Sequence, residues 1–139
     1  MPPTVPYLVG REKIREFALA IGEGASVCLD PAAARAAGHP DVIAPPTFST
    51  TFVMTAIEAF LHDPDFGWDY AHMVHGDQAI ELHRPIHGGD ELVTVIHVED
   101  LRTRAGSHML TLRCETTDVA GEPVVTTRAM LVTQAEEGA

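Results

Sequence analysis

The sequence predicts an α+β domain in which a long central helix is wrapped by an antiparallel sheet, and three observations carry this. The apolar period changes from helical to alternating near residue 69, helical patterns fall only before that point, and one helix alone is apolar on several sides. Long strands with one apolar face need a cover, and a single buried helix supplies it.

The first helix is expected over residues 11–21, where Ile14, Phe17, Ala18 and Ile21 make an apolar stripe and Gly22 is placed to end it. A second, short helix is punctuated by Asp30 as cap, Pro31 at the first helical position and Gly38 as stop. After an extended stretch, Thr47 is read as the N-cap of the core helix, which runs through Phe48, Phe52, Val53, Ala56, Ile57, Phe60 and Leu61 to a stop at Asp63-Pro64. Strands are expected over 69–83, 91–102, 107–118 and 122–134. Turns at Gly88-Gly89-Asp90, at Arg104-Ala105-Gly106 and from Asp118 to Gly121 predict a meander whose consecutive strands pair as hairpins. Met1 to Pro6 and Ala135 to Ala139 read as loose ends. With no repeat or linker, the 139 residues are expected to form one domain, 1–139.

Twenty acidic against nine basic residues give a formal charge of -11, which disfavours nucleic acid and anionic membrane surfaces as partners. A local arginine cluster can still hold an anion, and Arg84, Arg102, Arg104, Arg113 and Arg128 all lie in the C-terminal half. Cys28 and Cys114 lack the spacing of a zinc site or redox pair, and no leader or long apolar span is visible. These features predict a cytoplasmic protein with reduced thiols.

Several motifs lie along this framework: Val9-Gly10-Arg11-Glu12-Lys13-Ile14, Ile43-Ala44-Pro45-Pro46-Thr47-Phe48, Val74-His75-Gly76-Asp77-Gln78, and Arg84-Pro85 leading to Gly89-Asp90. Together with the element order they resemble the hotdog fold of MaoC-like dehydratases, specifically the N-terminal-type MaoC domain of mycolic-acid dehydratase subunits and their single-domain actinobacterial relatives. The resemblance implies binding of an acyl chain carried as a thioester on coenzyme A or acyl carrier protein, in a tunnel between two hotdog protomers. In active members it implies reversible hydration of a trans-2-enoyl thioester to the (R)-3-hydroxyacyl form, with no metal or redox cofactor.

That chemistry needs an acid and base to move protons and a donor to polarise the thioester carbonyl. Active members resembling this chain carry an Asp and, five residues on, a His. The matching positions here are Glu23 and Cys28. The extra methylene of Glu23 can move its carboxylate by about 1 Å, which costs on the order of 10²-fold in rate. A thiol titrates about two pH units higher than an imidazole and is a poorer proton shuttle at neutral pH. Where active members begin the central helix with His-Gly, whose glycine amide is a carbonyl donor, this chain has Pro45-Pro46, and proline has no N–H. The amides of Thr47 and Phe48 are expected to remain available at the helix entrance, so Pro46, Thr47 and Phe48 are read as substrate-binding.

Three departures at three catalytic positions favour a catalytically impaired, substrate-binding subunit of an (R)-3-hydroxyacyl thioester dehydratase or enoyl hydratase, paired with a catalytic MaoC-like subunit; a homodimer is also open. The alternatives are a stand-alone (R)-specific hydratase using Glu23 and a hotdog thioesterase, for which Glu58 on the central helix is the candidate carboxylate. His75, Gly76 and Gln78 are further pocket candidates. Plain alternation puts His75 and Asp77 on one face and Gln78 on the other unless a bulge at Gly76 re-aims them. Arg102 and Arg104, at a hairpin end, are candidates for coenzyme A phosphates or an acidic carrier surface. Trp68, after Gly67, is read as packing its loop, with a lid over the acyl tunnel as the second reading.

Overall fold

Residues 3–69 and 71–134 are described by the computed structural model. Its elements are β1 (Tyr7–Leu8), α1 (Arg11–Ala20), α2 (Ser26–Leu29), α3 (Pro31–Ala36), α4 (Thr50–Leu61), β2 (Val74–Leu82), β3 (Glu91–Arg104), β4 (Ser107–Asp118) and β5 (Pro123–Gln134). The five strands form one curled antiparallel sheet in the order β1-β3-β4-β5-β2, with α4 in its concavity. Alternation does this directly: Leu92 and Ile96, Leu110, Leu112 and Cys114, and Ala129 and Leu131 all point inward and are buried. They meet Phe52, Val53, Ile57, Phe60 and Leu61 of α4 in one core. Ile57 has no exposed surface, so Ile57→Ala costs about 2–5 kcal/mol through lost contacts and a cavity.

The strands at 91–104, 107–118 and 123–134 do form the expected meander. The β3–β4 turn is tight, with Ala105 at φ 52 and Gly106 at φ 78, and Arg104 pairs with Ser107 across it. Two positive φ values define the turn that matches strand twist. At the next turn Asp118 Oδ1 accepts the amides of Ala120 and Glu122, at 2.9 and 3.0 Å.

The expected hairpin between the first of the long strands and β3 does not form. β2 pairs with β5, from Val74↔Val132 to Leu82↔Val125, at the opposite edge from β3. The free side of β3 is taken instead by β1, through Tyr7↔Leu92, and by Thr4, whose amide donates to Thr94 O at 3.0 Å. Gly88-Gly89-Asp90 therefore closes a crossing connection rather than a hairpin. That connection leaves β2 with the His83 amide on Val124 O and pairs Ile43 with His87 on the way back. Arg84 fixes it, donating to Asp90 Oδ2 and Oδ1 at 3.0 and 2.9 Å and reaching Asp118 Oδ2 at 3.4 Å. His87 adds its amide to Asp90 Oδ2 at 2.9 Å.

Three boundaries also shift. Strand β2 begins at Val74, not residue 69, because the preceding segment is held by aromatic packing: Phe60 on Phe66 at 4.6 Å, Phe66 on Trp68 at 6.1 Å, and Trp68 Nε1–H donating to Met73 Sδ at 3.3 Å. Trp68 thus packs its loop. The N-terminal segment from Thr4 is tied to the sheet, while Met1, Pro2, Tyr70 and residues 135–139 lie outside the described residues. Helix α4 begins at Thr50 rather than Thr47, with Ser49 as its cap residue. Among the described residues no helix is long and apolar enough to cross a membrane.

Candidate functional site

The turn that replaces the first helical residues follows from its two prolines, which fix φ and leave only i→i+3 bonding at first. Phe48 N–H donates to Pro45 O at 2.9 Å, Thr50 N–H to Thr47 O at 3.1 Å and Thr51 N–H to Phe48 O at 3.0 Å. Two expectations change as a result. The amide of Phe48 is used inside the turn, and its ring is fully buried, edge-on to Phe17 at 5.5 Å and Phe52 at 6.3 Å. Phe48 is a core residue and greets no carbonyl. Pro46 and Thr47 are exposed, and the Thr47 amide has no hydrogen-bond partner among the described residues.

Glu23 lies close enough to Cys28 for its charge to act on the thiol. Gly22, at φ 77, ends α1 and turns the chain so that Glu23 N–H donates to Ala18 O at 2.8 Å. The Glu23 carboxylate is half-buried and accepts the Ala25 amide through Oε1 at 3.1 Å. Cys28 lies on α2, a short helix the sequence pattern did not announce, and is 5% exposed. Burial pushes its thiol up, and the nearby Glu23 carboxylate pushes it further. The thiol is therefore neutral at pH 7. Ile43 N–H donates to Val27 O at 3.0 Å, which binds this segment to the strand leading into Pro45-Pro46.

On β2 the bulge at Gly76 is present, and it decides which side chains share a face. The register steps from His75↔Leu131 to Asp77↔Met130, then Gln78↔Ala129. Directly paired residues point to the same side, and Leu131 and Ala129 are buried inward. His75 and Gln78 therefore share the concave face and Asp77 takes the convex one. Glycine suits the bulge, since a Cβ there would lie 2.8 Å from Met130 Cε and 3.3 Å from Val132 Cγ2.

A second bulge, between Val98 and Asp100, turns Arg102 and Arg104 onto the convex face, opposite Met109 and Ser107. Arg102 Nε donates to Asp100 Oδ2 at 2.8 Å, so its charge is already answered. Arg104, at the hairpin tip, is exposed and has no ion-pair partner among the described residues.

The feature that the sequence reading missed is a cavity of about 420 Å³ between α4 and the N-terminal segment, lined by Thr4, Val5, Pro6, Tyr7, Thr94 and the α4 face Thr51, Phe52, Thr55, Ala56 and Ala59. The signal was there in Thr51, Thr55 and Ala59, small residues at four-residue spacing along a helix otherwise built of large ones. Its threonine hydroxyls are all engaged. Thr51 Oγ1 donates to Phe48 O at 2.9 Å, Thr55 Oγ1 to Thr51 O at 3.0 Å, Thr94 and Thr116 share a bond of 2.8 Å, and Thr4 Oγ1 accepts the Thr94 amide at 3.0 Å. With its threonine hydroxyls satisfied from within, the cavity offers an apolar ligand a wall that asks for few further hydrogen bonds. Glu23, Cys28, His75 and Gln78 are not among its lining residues.

Residues 3–127 match the family model of the FAS1-like dehydratase domain region. The chain belongs to this family of MaoC-like hotdog dehydratases. Family members at high identity include the UPF0336 protein of Saccharopolyspora erythraea, 55% identical over 131 residues, covering 94% of this chain and 84% of that one. A UPF0336 protein of Streptomyces coelicolor is 48% identical over 138 residues, covering 99% and 92%. Among solved structures, a MaoC-like dehydratase superposes with a TM-score of 0.85 at 35% identity over 96% of this chain, which spans only 40% of that longer chain. The HadBC (3R)-hydroxyacyl-ACP dehydratase complex of Mycobacterium tuberculosis gives 0.79 at 28% identity, covering 91% and 89%. The matched region takes in the central helix α4, strands β1 to β4 and the segment that holds Glu23 and Cys28.

Proposed function

We propose that this protein binds acyl thioesters, on coenzyme A or acyl carrier protein, as the catalytically impaired subunit of an (R)-3-hydroxyacyl thioester dehydratase or enoyl hydratase in the cytoplasm. The observation that carries this is the pairing of Glu23 with a buried, neutral thiol at the position where the family's active members hold a histidine. General acid–base transfer at neutral pH needs a group that titrates near the operating pH, and Cys28 is moved away from it. Binding features persist beside this loss: the apolar cavity, the exposed Thr47 amide, and the polar pair His75 and Gln78 on one face of an edge strand.

A partner supplies the dyad in this reading. β2 is an edge strand of the sheet, its outer side unpaired among the described residues, with Val74 62% and Leu82 38% exposed. Such an edge is a template for another chain. A homodimer would present two impaired dyads; a MaoC-like subunit with an Asp/His pair would present one complete dyad. Arg104, with Arg102 behind it, is then the contact for the carrier's phosphates or acidic surface.

The test is activity alone and in company. The purified chain is expected to hydrate neither crotonyl-CoA nor a longer enoyl-CoA, and co-expression with a MaoC-like subunit from the same genome is expected to yield a complex that does. Turnover by the homogeneous chain, abolished by Glu23→Gln, would replace this reading with a stand-alone hydratase. Release of free coenzyme A would replace it with a thioesterase; against that, Glu58 is exposed on α4 rather than directed into the core.

A further inference from the structure

The cavity beside α4 has one wall unlike the others. One wall is the helix α4, and the outer wall is a four-residue strap, Thr4 to Tyr7, hydrogen-bonded among the described residues only at its two ends. At one end Thr4 and Thr94 exchange two bonds: the Thr4 amide donates to Thr94 O, and the Thr94 amide donates to Thr4 Oγ1, both at 3.0 Å. At the other, Tyr7 pairs with Leu92 in the sheet and stacks on Phe52 with ring centroids 5.2 Å apart. Between them Val5 is 85% exposed and Pro6 has no amide to donate.

We propose that this strap, latched by Thr4 on Thr94, is the specificity-determining wall that sets how long an aliphatic chain the cavity accepts, with Ala59 of α4 facing it across the same space. The inference deepens the acyl-thioester reading by naming the segment that selects the chain. Two observations point to an alkyl occupant. Every threonine hydroxyl in the lining is already bonded within the protein. The volume of about 420 Å³ falls in the lower part of the range for small-molecule sites, suiting a chain of medium length. Each methylene that enters such a cavity tightens binding about fourfold, until the wall is reached. The latch decides where that gain stops. Thr94 is 3% exposed, so a Thr94 amide deprived of Thr4 Oγ1 has no water to turn to, and the strap's hold on the sheet falls to its single remaining bond.

The experiment titrates the full chain with straight-chain fatty acids and, separately, with their coenzyme A thioesters, from about four to about sixteen carbons, by calorimetry. For the wild type, affinity is expected to rise about fourfold per methylene and then level off. Ala59→Leu fills the space with three carbons and is expected to move the plateau to chains roughly three carbons shorter, leaving the shortest ligands unaffected. Thr4→Val keeps the volume, removes the oxygen, and is expected to move the plateau to longer chains. Thermal melts establish that each variant is folded; Ala59→Leu tests whether the chain lies in this space, and Thr4→Val tests the latch itself. A plateau that stays in place in folded Thr4→Val overturns the strap's role, and one that stays in place in folded Ala59→Leu, or a wild type that binds no fatty acid of any length, overturns the cavity as the alkyl site. Shifted plateaus with fatty acids, but no binding of the thioesters, uphold the strap and sink the thioester reading instead.

Discussion

Arg84 holds the buried carboxylate of Asp90 with both terminal guanidinium nitrogens, and one of these also reaches Asp118 at the far end of β4. The two ends of one short connection are thereby locked to the distant end of β4. The pairing with Asp90 raises the arginine above its ordinary range, and Asp118 is held below the carboxylate range chiefly by the amides of its own turn.

Removing one partner of such a group leaves the other's charge uncompensated. Asp90 is only 6% exposed, so Arg84→Ala is expected to cost about 3 kcal/mol or more, read as a lower urea midpoint at unchanged slope. A loss below about 1 kcal/mol would assign the site to the weak surface class.

Acid stability has a specific origin in Asp41. Arg11 donates to both of its oxygens, at 2.9 and 2.7 Å, and this pair holds the carboxyl at about 2. A depressed carboxylate contributes stability that is complete above its unfolded value of about 3.9 and is lost as pH falls through the folded value. The contribution of Asp41 is therefore expected to fade between about pH 4 and pH 2. Arg11→Ala is expected to remove that contribution at neutral pH and flatten this part of the profile; denaturant midpoints measured across the window check it. Because Arg11 is half-exposed, added salt should shrink the difference.

Neither thiol is expected to react readily while the chain is folded. Cys114 has no exposed surface and is pushed up to about 12 by burial, and Cys28 is raised by burial and by Glu23. Alkylation by iodoacetamide at pH 8 should be at least about tenfold slower than in urea, with Cys28 labelled first. Fast labelling of Cys28 in the native state would contradict a buried neutral thiol.

Restoring the dyad is the complementary test. Glu23→Asp with Cys28→His, introduced together, is expected to raise enoyl-CoA hydration by about 10²-fold over the parent, the lower end of what positioned acid–base groups contribute. Cys28→Ser should add nothing. The double variant staying at the parent's background while remaining folded would mean that the proline turn, not the dyad, limits catalysis.

Helix α1, the three-strand meander and the inward faces of the strands could be read from the order of residues because their signals are local: Ile14 with Ala18, or Leu110 with Leu112 and Cys114. What could not be read depends on contacts far along the chain. Whether β2 pairs with β3 or with β5 turns on distant contacts, the reach of Arg84 to Asp118 and the competing claim of Tyr7 on Leu92. The bulge at Gly76 is an option the sequence offers, but the register against β5 that realises it, and the closeness of Met130 and Val132 that suits glycine there, come from a distant strand. Thr47 looked like an N-cap by residue type; two preceding prolines tightened the turn and delayed the helix to Thr50. The cavity was hidden because threonine and alanine on a core helix pass for ordinary helix surface until the opposing segment is seen.

The partnership of β2 with β5 sets a constraint on how the chain can be made. A ribosome releases Val74 long before it releases Val132, its partner across the ladder, and α4 emerges earlier still with Phe52, Ile57 and Phe60 uncovered. Local elements such as α1 and the β3–β4 hairpin can form as they appear, but the sheet cannot close around the helix until β5 is available. During synthesis the most apolar helix of the molecule waits exposed for a strand not yet translated, so a nascent chain halted before β5 is a natural client for chaperones.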